Sequence, residues 1–93
     1  MNIFANLKKY AGKWNESNVR PFSKDEIDAV KSASVVDSEF GFSVCFIAKT
    51  GGKWFIPLEH ESSKQAGDVI DISTAQLVTL SREGSSDIYR VRA

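Results

Sequence analysis

The sequence predicts an α+β, mostly β domain: a small five- to six-stranded antiparallel barrel or sandwich preceded by two short N-terminal helices. Three observations lead there. Two apolar runs flank Gly51-Gly52 within residues 42 to 58. From Ser34 onward, short β-branched and aromatic runs recur between turn signals spaced about eight to twelve residues apart. Ahead of them, residues 2–14 carry helical periodicity, and Ser23 and Glu26 mark the start of a second short helix. The chain of 93 residues reads as one domain, with a helical N-terminal segment over 1–32 and a barrel-like body over 33–93. No internal repeat or low-complexity tract divides it.

The hairpin at 42–58 organises the rest. Two successive glycines permit positive φ at both central residues of a tight type I′ turn, with Thr50 paired to Lys53. Alternation places Val44, Phe46 and Ala48 on one face and Ser43, Cys45 and Ile47 on the other. Trp54, Ile56 and Leu58 share a face on the return strand. Both faces carry apolar residues, so the hairpin is expected to be covered, at least in part, on both sides.

In chain order, Ile3, Leu7, Tyr10, Ala11 and Trp14 fall on one face of a helix over residues 2–14. Asn2 suits its start, Lys8 and Lys9 its C-terminal half, and Gly12 its end. Residues 15–21 read as a polar connection. Ser23 and Glu26 then form a capping box, with Phe22 and Ile27 as its hydrophobic staple, predicting a helix from Lys24 to about Ser32. Ser34 to Ser38 is a strand, and Glu39-Phe40-Gly41 a turn or bulge. Pro57 removes a ladder donor, which places it on an edge or at the strand's exit. Residues 59–67 form a polar loop. Strands follow at Asp68–Ile72, Ala75–Arg82 and Asp87–Arg92, the last two joined by a loop at Glu83-Gly84-Ser85-Ser86. Val78, Leu80, Tyr89 and Val91 are expected to face inward.

Composition excludes several function classes. Twelve basic and twelve acidic residues cancel, against a strongly basic nucleic-acid protein or a polyanion mimic. The single cysteine, Cys45, rules out an internal disulfide and fits a reducing compartment; mid-strand, it reads as a buried, inert thiol. With no apolar run of about 20 residues and no signal-peptide pattern, the expected location is cytoplasmic, with no membrane partner. No catalytic constellation is visible, so the protein is expected not to be an enzyme and to need no cofactor. His60 lies between Glu59 and Glu61 on a polar loop and lacks the partners that a zinc site or a general base requires. Asp68 and Asp71, three apart in an extended run, point to opposite sides and cannot share a metal. Asp25, Glu26 and Asp28 sit where the helix dipole favours them. Catalytic and metal-binding residues are therefore expected to be none.

Charge distribution carries the functional expectation. Residues 1–24 hold five basic groups against Glu16 alone, a balance of +4, and the remainder of the chain balances it at −4. Tyr10, Trp14 and Phe22 interleave the cations. Phosphate-contacting cations beside base-stacking aromatics are the recipe for single-stranded nucleic acid. The candidate residues are Lys8, Lys9, Lys13, Trp14 and Arg20, joined by Arg90 and Arg92 from the last strand, near Arg82. The ordinary alternative is that the aromatics belong to the apolar stripe and the cations to a solvated face.

The run Gly67-Asp68-Val69-Ile70-Asp71-Ile72 looks like the glycine-aspartate lead into a strand seen in many small β-barrels. With the hairpin, it is similar to OB-like and SH3-like barrels over about 60 residues. That resemblance implies a fold class and, by analogy, oligonucleotide binding on a sheet face. Two readings stand: a module for single-stranded nucleic acid, or a protein–protein interaction or homo-oligomeric accessory protein of phage or mobile-element type. In the second, helix 2–14 or the Pro57 strand docks on the partner. A small molecule in a barrel mouth is a third.

Overall fold

Strand pairing in the computed structural model, which describes residues 14–39 and 41–93, produces two antiparallel sheets of three strands each. The elements are β1 (Asn15–Pro21), α1 (Lys24–Ala29), β2 (Val30–Ser38), β3 (Gly41–Ala48), β4 (Lys53–Pro57), β5 (Gln76–Ser81) and β6 (Ile88–Arg92). One sheet has the order β1-β5-β6 and the other β2-β3-β4. The mostly-β, antiparallel architecture agrees with expectation, although one of the six strands, β1, is not one of those expected. The barrel alternative does not: the described residues form no closed barrel.

The helix expected over 2–14 lies outside the described residues, apart from Trp14. Residues 15–21 are a strand rather than a connection, so a strand precedes the one helix described. Its ladder runs from Asn15↔Ser81 to Pro21↔Gln76, with a bulge between Glu16 and Asn18. Most of β1 is exposed, and so its sequence lacks the alternation of a half-buried strand. Pairing with β5 makes it a strand.

The start of α1 is as read. Glu26 N–H donates to Ser23 Oγ at 3.2 Å, and Ser23 N–H donates to Glu26 Oε1 at 2.8 Å, closing the capping box. The helix stops at Ala29 rather than near Ser32 because Val30 is already extended, at φ −93° and ψ 127°, and opens β2.

The β3–β4 hairpin forms, but its turn differs. Gly51 N–H donates to Ala48 O and Ala48 N–H donates to Gly52 O. The loop is therefore Lys49-Thr50-Gly51, and only Gly51 has positive φ, at +96°. That is a type I turn closed by one left-handed residue, not a type I′ turn across both glycines.

The core joins Ala33 and Val35 of β2, Val44 and Phe46 of β3, Leu58, Ile70, Ala75 and Val91 of β6. Ser43 and Cys45, on the opposite face of β3, are also buried, so the hairpin is covered on both sides as expected. The strand expected at Asp68–Ile72 is reduced to one antiparallel bridge, Ser34↔Val69. Asp71 ends it by accepting from the backbone and hydroxyl of Ser73. Residues 67–70 nevertheless cover the outer edge of β2. Val35 N–H donates to Asp68 O, Gly67 N–H to Val35 O, and Ile70 N–H to Ala33 O.

Tyr89 is 48 % exposed, against the inward position expected for it. Tyr89 lines a cleft, whereas Val91, on the same face, lies at the bridge to Leu58. Val91 lies opposite Leu77 and Tyr89 opposite Thr79, whereas Val78 lies opposite Arg90 on the other face. Val78 and Val91 are both fully buried, so burial in this sheet does not follow a single face.

Candidate functional site

Two sheet edges meet at one point and then separate. β4 is the last strand of its sheet and β6 the last of the other. A parallel bridge, Leu58↔Val91, joins them, and Glu59 N–H donates to Val91 O at 3.0 Å. The next bond of such a ladder, two residues earlier on each strand, would run from residue 57 N–H to Tyr89 O. Residue 57 is proline and has no N–H. Pairing between the sheets thus stops after one bridge.

Beyond that bridge the strands flank a cleft of about 690 Å³. Phe42, Phe55, Pro57 and Ile88 supply its apolar lining. Ser38, Glu39, His60, Tyr89 and Arg90 add polar groups. Its volume lies in the range of concave ligand sites, and its lining mixes apolar walls with polar groups. Phe55 is 58 % exposed, and with Tyr89 it is among the few large apolar side chains left in solvent.

Backbone groups also face the cleft. In an antiparallel ladder, alternate residues turn their N–H and C=O toward the neighbouring strand and the rest turn them away. Leu58 N–H donates to Phe42 O, so residues 54, 56 and 58 face β3 and Phe55 presents its backbone outward. The Val91 carbonyl faces β4, so Val91 and Tyr89, two residues apart, direct their backbone groups away from β5.

Of the expected nucleic-acid residues, four lie among the described ones, and two of these, Arg20 and Arg92, are held in ion pairs. Lys8, Lys9 and Lys13 lie outside the described residues. Trp14 is half-buried, with the Arg82 guanidinium 5.6 Å from its ring centroid. Arg20 donates to both carboxylate oxygens of Glu26, at 2.7 and 3.1 Å. Arg92 makes a two-pronged pair with Glu59 at 2.8 and 2.9 Å and also meets Glu16. It ties β6 to β1 and to the segment after β4. Arg90 lines the cleft and has no ion-pair partner among the described residues.

Those pairs hold charge in place. The hydrogen bond from Arg20 pulls the Glu26 carboxyl down to about 2, helped by the Ser23 backbone N–H. Glu59, then Glu16, raises Arg92 above its ordinary value. A depressed carboxyl gives stability that is complete above its unfolded value, near 4.5, and is lost as pH falls toward 2. Both partners are about two-fifths exposed, so the contribution is about 1 kcal/mol or less. Urea midpoints should therefore drop between pH 4.5 and 2 more steeply in the natural protein than in Glu26→Gln. Parallel acid limbs would show that the pair contributes nothing.

A second, smaller cavity of about 250 Å³ lies beside α1, lined by Phe22, Ala29, Val30, Trp54 and Leu77 among others. Phe46 and Trp54 stack at 5.7 Å, with planes 10° apart, at its wall. Among the described residues, no cluster of three or more His, Cys, Asp or Glu could hold a metal, and no helix is long and apolar enough to cross a membrane.

No family model, curated protein or solved structure matches this chain. The functional reading rests on the cleft and its chemistry.

Sequence reasoning missed Phe55 and Tyr89 as site residues. Phe55 could have been found, because it is out of phase with Trp54, Ile56 and Leu58 and so belongs to the other face. Tyr89 could not, because its exposure depends on where β6 parts from β4.

Proposed function

We propose that this protein is a non-enzymatic binding module that holds a segment of a partner protein in the cleft between β4 and β6. The observation that carries the reading is the pair of exposed aromatic side chains, Phe55 and Tyr89, at an apolar cleft between two strand edges. Apolar side chains with exposed strand edges are the features by which folded domains take up extended protein segments. The ion pairs of Arg20 and Arg92 weigh against the nucleic-acid reading, since carboxylates already offset the charge that would draw a phosphate to each guanidinium.

Selection from a phage-displayed library of random linear dodecapeptides tests the proposal. Peptides recovered on the natural protein should bind in solution and lose at least about tenfold in affinity to the double variant Phe55→Ser, Tyr89→Ser, a tenfold loss being about 1.4 kcal/mol. Both side chains are about half exposed, so the variant should keep its fold and its circular dichroism. If a labelled single-stranded oligonucleotide binds with a steep salt dependence while no peptide does, the reading is wrong.

A further inference from the structure

We infer that the cleft takes up its partner by strand addition on β6, the backbone of the incoming segment supplying the hydrogen bond that Pro57 withholds from Tyr89. This rests on the cleft reading above and states how recognition works. One parallel bridge shows that β4 and β6 meet in ladder geometry at Leu58↔Val91. At the next position the acceptor, Tyr89 C=O, is turned toward the cleft, but the matching residue of β4 is a proline. The Phe55 backbone faces the same space from the other side. An incoming strand has N–H and C=O groups at the required spacing. A nucleic acid offers no such ladder, and a compact small molecule satisfies only one or two of these groups.

The occupant is an extended protein segment with apolar residues on the side facing Phe55 and Ile88, and a carboxylate near the residue that pairs with Tyr89. The apolar requirement comes from the walls. The carboxylate comes from charge complementarity. Arg90 follows Tyr89 on β6 and lines the cleft without an ion-pair partner among the described residues, while Arg20 and Arg92 are already paired. Glu39, the other charge on the lining, belongs to the β2–β3 turn rather than to β6.

Pro57 is thereby a positioning residue. With an N–H at residue 57, the β4–β6 ladder has its next bond available, and the edge that the partner needs is occupied by the protein itself.

The test uses the full chain and the dodecapeptides selected above. Each peptide amide is methylated in turn. Removing donors that face β6 should weaken binding at least tenfold at alternate positions, with little effect between them. Bound peptide should slow exchange of the Tyr89 amide at least tenfold by NMR. Pro57→Val should give residue 57 an amide that is protected from exchange at least tenfold without peptide, and should lower peptide affinity at least tenfold; should this variant not fold, the methylation series decides alone. Peptides that bind but tolerate methylation throughout and leave Tyr89 exchange unchanged would overturn strand addition while leaving the cleft reading intact. No peptide binding, binding of an oligonucleotide only, or a dimer of this chain that buries the Tyr89 edge would overturn the inference along with its proposed partner.

Discussion

Replacing Phe46 by alanine should cost about 3–5 kcal/mol of folding free energy. The ring is 1 % exposed, lies 5.8 Å from Phe22 and stacks on Trp54. It sits on the central strand of its sheet, opposite Ala33 on one side and Trp54 on the other. Truncation removes an apolar side chain from the core and leaves a void lined by parts of β2, β4 and α1's approach that cannot all collapse into it. Small domains are stable by only about 5–15 kcal/mol, so the loss is a large fraction of the total. Each kcal/mol lowers Tm by about 4–8 °C at this size. Trp54→Ala, at a residue 41 % exposed, should cost about 1–2 kcal/mol, because less apolar area leaves the interior. Urea unfolding of both variants checks the ranking. Equal losses, or a Phe46→Ala loss under about 1 kcal/mol, would mean that the hairpin is not the centre of the core.

Val91→Asp should leave little folded protein at neutral pH. Val91 is fully buried, contacts the core cluster, and lies at the bridge to Leu58 where the two sheets meet. A carboxylate there has no cationic partner within the core, and its desolvation costs several kcal/mol. Burial raises such a carboxyl, so the protonated form is the one the folded state tolerates. Stability should therefore return as pH falls from 7 to 5, above the range in which Glu26 titrates. Val91→Thr, similar in shape and uncharged, should cost about 1–2 kcal/mol at both pH values. Circular dichroism with urea at pH 7 and pH 5 reads all three proteins. An aspartate variant as stable as the threonine variant at pH 7 would show that the seam admits water.

How much of this was legible follows from where each signal resides. The β3–β4 hairpin was readable because Val44, Phe46 and the glycines state it locally. Its turn was misread because two adjacent glycines do not reveal which of them takes the left-handed conformation; the Lys49-Thr50-Gly51 loop needs only one. The capping box of α1 was readable from Ser23 and Glu26 alone. β1 was not, since Asn15-Glu16-Ser17-Asn18 carries no apolar alternation and becomes a strand only beside β5, some 60 residues later in the chain. Asp68–Ile72 was overread for the opposite reason: Val69, Ile70 and Ile72 look like a strand, yet Asp71 bonds into its own turn after one bridge. The cleft was hardest. It is made by two strands whose approach no local pattern encodes. Only Pro57 hinted at it, by reading as an edge.

The connectivity of the two sheets also sets an order of events during synthesis. β2, β3 and β4 pair with their immediate neighbours in the chain, whereas β1 finds its partner only in β5, after β2, β3 and β4 have been made. As the chain is synthesised, the meander can assemble early, but its apolar side waits for Val91, made more than 30 residues after β4 ends at Pro57. Long-range closure of this kind is slow. A nascent chain stalled before Gln76 therefore carries an uncovered hydrophobic sheet and an unpaired first strand, and these are the surfaces a chaperone would meet.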